Sequence, residues 1–167
     1  GGDWSLERAG TVFVQGAENF LLRDCTFDRT DNGNGVMVSG YNRNTTILDT
    51  DFSFMGGSAV ALWGYTNETA TDPGRPGVML ENYPQAGQDG SDGEHPVGTV
   101  IRGCTAHDVG LYAKQTSFFF QAKSANTTLA GNVFFNAPRA GINLNDGFAG
   151  GDTLERNLVF NAVRETQ

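Results

Sequence analysis

No apolar run in this chain approaches the length that crosses a bilayer as a helix, so no membrane-spanning helix is expected. Charged residues make up only 18% of the sequence. With so few of them, and so many glycines, the chain does not suit a helical bundle. Basic residues are outnumbered 11 to 19 by acidic ones, and the formal net charge is -8. That argues against nucleic acid as a partner, because phosphate binding needs a basic face. There are two histidines, His95 and His107, and without paired cysteines they make no zinc pattern. His107 follows a core corner and reads as a satisfied structural residue. No G-x-S-x-G elbow is present, which weakens a serine hydrolase reading, and there is no Walker loop or complete G-x-G-x-x-G.

What the chain does have is 23 glycines, 12 phenylalanines and a spaced pattern that returns five times. It reads Asn19-x-x-Leu22-x-x-Cys25-x-Phe27, then Asn44-x-x-Ile47-x-x-Thr50-x-Phe52, and again Asn126-x-x-Leu129-x-x-Asn132-x-Phe134. Two weaker copies are Gly98-x-x-Ile101-x-x-Cys104-x-Ala106 and Gly151-x-x-Leu154-x-x-Asn157-x-Val159. Cys25 to Thr50 and Asn132 to Asn157 each span 25 residues. A period in the twenties, built of short strands and glycine turns, means coils stacked into a solenoid. The step from Thr50 to Cys104 is twice as long. Residues 66–97 are rich in Gly, Pro, Asp and Asn and show no strand alternation, so they read as one long loop insertion. The expected fold is all-β, a parallel β-helix of about five coils over a single domain, 1–167. A β-sandwich is the competing fold, but it leaves the repeat unexplained.

In a solenoid each residue stacks on its counterpart one coil away. Leu22, Ile47, Ile101, Leu129 and Leu154 form one aliphatic column. Phe27, Phe52, Ala106, Phe134 and Val159 form a second. Between them lie Cys25, Thr50, Cys104, Asn132 and Asn157, where stacked amides can hydrogen-bond along the axis. Cys25 and Cys104 are two coils apart, roughly 10 Å at about 4.8 Å per strand, too far for a disulfide. Two reduced thiols are expected. An earlier strand in each coil places Val12, Val14, Val36, Val38, Val60, Leu62, Phe118, Phe120, Ala122, Ile142 and Leu144 inward. Facing out on that sheet are then Phe13, Gln15, Met37, Ser39, Ala61, Trp63, Phe119, Gln121, Lys123, Asn143 and Asn145.

This pattern resembles right-handed parallel β-helix proteins of the pectate-lyase-like superfamily. The segments Gly2-Asp3-Trp4-x-Leu6-Glu7-Arg8, Lys114-Gln115-x-Ser117, Gln121-Ala122-Lys123 and 134–148 are similar to a largely uncharacterised set of them. Members of that set continue beyond a stop like the one at Gln167, so this chain is expected to be a fragment. Further coils or assembly partners would then cover its open ends. Lys123-Ser124, with Asn132-x-Phe134-x-Asn136 following, resembles the corresponding coil of the chondroitinase B and alginate lyase family. There a Lys abstracts the proton α to a uronate carboxylate. The resemblance implies Lys123 as base. That family carries an Arg near the place of Asn145, and Arg139 is the candidate replacement to neutralise the carboxylate.

The function expected is that of an extracellular carbohydrate-active protein, cleaving a uronic-acid polysaccharide by β-elimination. Lys123 and Arg139 are the catalytic candidates, with Asp146 as one of two carboxylates if the reaction is glycoside hydrolysis instead. Trp63, Tyr65, Phe119, Gln121, Asn143 and Asn145 are the candidate substrate contacts: aromatic faces for sugar rings, amides for hydroxyls. The competing reading is a non-catalytic carbohydrate-binding or structural module of a wall, matrix or filament. Three sequons begin at Asn44, Asn67 and Asn126 and tilt the reading toward secretion and glycosylation. Asp89, Asp92 and Glu94 sit in a Gly-rich acidic stretch that can wrap Ca2+ through oxygen ligands, or serve only as a solvated turn.

Overall fold

The structure, a computed structural model, describes residues 7–30, 33–65, 93–145 and 150–163. The backbone follows one circuit five times. Circuit one runs Gly10–Val14 (β1), Ala17–Glu18 (β2), Leu21–Arg23 (β3) and Thr26–Asp28 (β4). Circuit two repeats it with Asn34–Ser39 (β5), Asn42–Arg43 (β6), Thr46–Leu48 (β7) and Asp51–Ser53 (β8). Circuit three holds Val60–Trp63 (β9), Pro96–Val97 (β10), Val100–Arg102 (β11) and Thr105–His107 (β12). Circuit four holds Ser117–Ala122 (β13), Thr128–Ala130 (β14) and Val133–Phe135 (β15). Circuit five holds Ala140–Leu144 (β16), Thr153–Glu155 (β17) and Leu158–Phe160 (β18).

Strands at the same stage of each circuit pair in parallel. The first sheet is β1-β5-β9-β13-β16, the second, short one β2-β6-β10, the third β3-β7-β11-β14-β17 and the fourth β4-β8-β12-β15-β18. All-parallel pairing between consecutive circuits is a β-solenoid and rules out a sandwich of antiparallel sheets. Pro96 and Val97 pair with Asn42 and Arg43, so the third circuit has already resumed before the expected end of the insertion at 97. Residues 66–92 lie outside the described residues.

The aliphatic and aromatic columns stand in register as the repeat requires. Leu22, Ile47, Ile101, Leu129 and Leu154 are direct partners, as are Phe27, Phe52, Ala106, Phe134 and Val159. Phe27 stacks on Phe52 at 4.9 Å, and Phe118 on Phe134 at 5.4 Å. The polar column between them is a hydrogen-bond ladder. Thr50 Oγ1 donates to Leu48 O at 2.8 Å. Asn132 Oδ1 accepts from the Cys104 N–H at 2.9 Å, and Asn132 Nδ2 donates to Ile101 O at 3.0 Å and to Asn157 Oδ1 at 2.9 Å. The corners depend on left-handed backbone: Asn19, Asn44, Gly98, Asn126 and Gly151 occupy one corner, all at positive φ. Asn and Gly tolerate that region at least cost.

One strand reverses the expected phase. In β13, Phe119 lies beside Val60 and Ile142, and Gln121 beside Leu62 and Leu144. Phe119 therefore belongs to the interior, whereas Phe120 and Ala122 face outward with Met37, Ala61 and Trp63 in a separate buried apolar cluster. A slip of one residue exchanges every side chain between the two faces. Gln121 Nε2 donates to Asp152 Oδ2 at 2.7 Å, whereas its Oε1 is buried with no hydrogen-bond partner. Phe118 joins the interior, as expected.

Two predictions follow from the polar column. Both cysteines are free, Cys104 buried and Cys25 half-buried. Desolvation raises the Cys104 thiol from 9.0 to about 11, so it costs stability only as pH rises through that window, where the unfolded thiol ionises and the folded one does not. A thiol reagent added to native protein at pH 8 should label Cys25 first and Cys104 only on unfolding. Equal rates, or no free thiol after unfolding, would contradict the register. Asn132→Ala strands the Cys104 N–H in the core and should lower the urea-unfolding free energy by about 1–3 kcal/mol. A loss below about 1 kcal/mol would show that the ladder is not a stabilising element.

Candidate functional site

The first sheet is the widest, with β5 and β13 six residues long, and both of its faces are occupied. Outward from it run two columns. Phe13, Met37, Ala61, Phe120 and Asn143 are partners across the circuits. Ser39, Trp63 and Ala122 form the next, and the register carries Asn145 in line below Ala122. Trp63 is only 2% exposed and packs against Phe120 at 5.2 Å. Arg8 reaches over this column. Its guanidinium lies 4.9 Å from the Trp63 ring centroid and 5.3 Å from that of Tyr65. It donates to Ser39 Oγ at 3.2 Å and to the Trp63 carbonyl at 3.1 Å. Desolvation pulls the Arg8 pKa below its ordinary value, with Tyr65 opposing.

Lys123 follows the end of β13 in the place that Gly40 and Gly64 hold in the two preceding circuits. It is 6% exposed and takes φ 52, a conformation that costs a lysine about 1 kcal/mol or more. A Cβ on Gly64 would run into the Lys123 carbonyl and meet the Cβ atoms of His95 and Lys123 at 2.7 and 2.8 Å. Only glycine lets these two buried side chains converge there. His95 itself is held by its backbone: its carbonyl accepts from Arg43 Nη1 at 2.7 Å. Below them Asn145 is 1% exposed, and neither its Nδ2 nor its Oδ1 has a hydrogen-bond partner; Asn143 Nδ2 is also buried without one.

The expected site residues therefore separate. Trp63, Tyr65, Lys123, Asn143 and Asn145 gather at one edge of the first sheet. Phe119 and Gln121 do not join them, because they point inward. Arg139 precedes β16 at the opposite end, beside Thr116 by the register. Seven residue steps separate Thr116 from Lys123, roughly 23 Å at about 3.3 Å each, beyond the combined reach of the two side chains. Asp146, Asp89, Asp92 and Asn67 lie outside the described residues. Glu94 Oε2 accepts from the Tyr41 N–H at 3.1 Å, fastening the returning chain to the corner. Asn44 and Asn126 are both exposed at the corner they share. His107 is structural as read: its ring stacks on Phe135 at 4.8 Å and Nδ1 lies 2.8 Å from Asp108 Oδ2. Sequence reasoning passed over Arg8 and His95. Arg8 lay within a quoted motif, but nothing in its spacing joined it to Trp63.

The five circuits and the repeat match a family described as "Right handed beta helix region" over residues 7–159. The chain belongs to this right-handed β-helix family. No curated protein and no solved structure matches it. At one end of the first sheet Arg8 lies over the Trp63 indole, and Lys123 and His95 converge about Gly64. In a chain of net charge -8, these basic side chains at one end of the sheet are a local departure from the overall acidic balance.

Proposed function

We propose that this β-helix acts on an extracellular acidic polysaccharide at the Arg8–Lys123 edge of its first sheet, by β-elimination. The observation that carries the reading is Asn145. Its amide is buried with neither atom hydrogen-bonded, and a buried unpaired polar group costs about 1–3 kcal/mol. An amide held there without partners is available to hydrogen-bond the hydroxyls of a ligand. Lys123, one position past Ala122, is assigned as the base that removes the proton α to a uronate carboxylate. Arg8 takes the neutralising role first assigned to Arg139, since it stands at the Lys123 end of the sheet. Tyr65, half-buried beside Arg8, offers the ring contact. The two exposed sequon asparagines, Asn44 and Asn126, support a secreted, glycosylated protein.

A second reading has its own support. Trp63 at 2% exposure is no open platform, and an enclosed aromatic face favours a binding or structural module without catalysis. For glycoside hydrolysis the described residues offer less: Asp108 is engaged by His107 and Asn136 at another corner.

The discriminating assay follows absorbance of the unsaturated product with alginate, pectate and chondroitin sulfate. One of them should yield product. Lys123→Met should cut kcat at least about 100-fold and Arg8→Gln should lower kcat/KM, while Arg139→Gln changes neither. Glycan-array binding without product would establish the module; new reducing ends without unsaturation would establish hydrolysis. Neither product nor binding would sink the proposal.

A further inference from the structure

A second concavity lies at the opposite corner of the coil, between the fourth sheet and the first. Arg29, Thr30, Phe54, Leu111 and Tyr112 line a cavity of about 310 Å³. Its rim is a loop that only the passage from β12 to β13 carries at this length. That loop is fastened down: the N–H groups of Leu111, Tyr112 and Ala113 donate to Met55 O at 3.0 Å, Gly56 O at 3.3 Å and Gly56 O at 3.1 Å. Lys114 Nζ donates to Gly110 O at 3.1 Å. Yet the side chains on this pinned backbone stand in solvent, Leu111 42% and Tyr112 68% exposed. A loop whose backbone is held in place while presenting an aromatic and an aliphatic side chain is preorganised for contact, since only those side chains remain to be ordered on binding.

The floor supplies the polar half. Arg29 Cζ lies 5.0 Å from the Phe54 ring centroid, which fixes the guanidinium beside the cavity. Its other partner is Asp28, in an ion pair whose two side chains are 71% and 40% exposed. An exposed pair of this kind contributes little, so an incoming carboxylate can take the guanidinium at small cost and gain a bidentate contact. The volume sits at the lower end of small-ligand sites, enough for one or two sugar rings and too small for a polymer segment.

We infer that this corner is a binding site for an acidic monosaccharide unit, its apolar face against Tyr112 and Leu111 and its carboxylate on Arg29. The site shares no residue with the Arg8–Lys123 edge and stands whether or not that edge is catalytic.

The test uses D-galacturonate and D-galactose as probes, followed by amide chemical shifts. Galacturonate should shift Thr30, Leu111 and Tyr112 with a dissociation constant of roughly millimolar order. Arg29→Gln should weaken galacturonate about tenfold, to the level of galactose. Tyr112→Ala should remove the binding of both. Lys123→Met should leave all three amides responding as in the wild type, which separates this site from the first. Both Arg29 and Tyr112 are exposed, so their variants keep the fold, as an unchanged spectrum elsewhere will verify. Shifts confined to the Arg8–Lys123 edge, none at roughly 20 mM probe, or an Arg29→Gln variant that binds galacturonate undiminished, would overturn the assignment.

Discussion

In-register parallel stacking is the interaction on which the rest of this structure depends. The strands of the third and fourth sheets are three residues long and direct one side chain each into the interior. No single circuit can bury its own apolar residue; Leu22 is covered only because Ile47 lies beside it, and Phe27 because Phe52 does. Stability is therefore a nearest-neighbour sum along the axis. Register is kept by two devices. Left-handed corner residues end each short strand at the same place, and the Cys104–Asn132–Asn157 ladder joins backbone donors of one circuit to side-chain acceptors of the next.

The same constraint creates the candidate site. Where a circuit matches its neighbours, a residue at a given stage inherits their environment. Lys123 inherits a place that two earlier circuits give to glycine, and Asn145 inherits the buried column of Trp63 and Ala122. Neither suits that inheritance as a core residue would. A buried lysine and an unsatisfied amide persist only when their surroundings hold them, and such local conflicts gather at functional sites. Arg8, supplied from the first circuit's approach, lies across the same column, over Trp63 and Tyr65.

How much of this was legible follows from strand length. In three-residue strands flanked by turn residues, the inward position sits at a fixed offset, so Leu-x-x-Cys-x-Phe could be read directly and its columns stand as read. The first sheet is different. Phe118-Phe119-Phe120 satisfies either phase of a two-residue alternation, and the residue that settles the matter, Asp152, lies 31 positions beyond Gln121. The site suffered from the same geometry. Arg139 is close to Lys123 in sequence but a strand's length away in space, whereas Arg8 is remote in sequence and stacks on Trp63. The end of the insertion was missed because Pro96–Val97 is a two-residue strand, too short to alternate.

The register between β9 and β13 is the most direct test, because a one-residue shift there would exchange Phe120 with Phe119 and dissolve the proposed edge. Through-hydrogen-bond scalar couplings report which carbonyl each amide uses. The Gly64 N–H lies 3.0 Å from the Ala122 carbonyl, so its coupling should be to the Ala122 carbonyl carbon. A coupling from Gly64 to the Lys123 carbonyl carbon instead would place Phe120 inside and contradict the account.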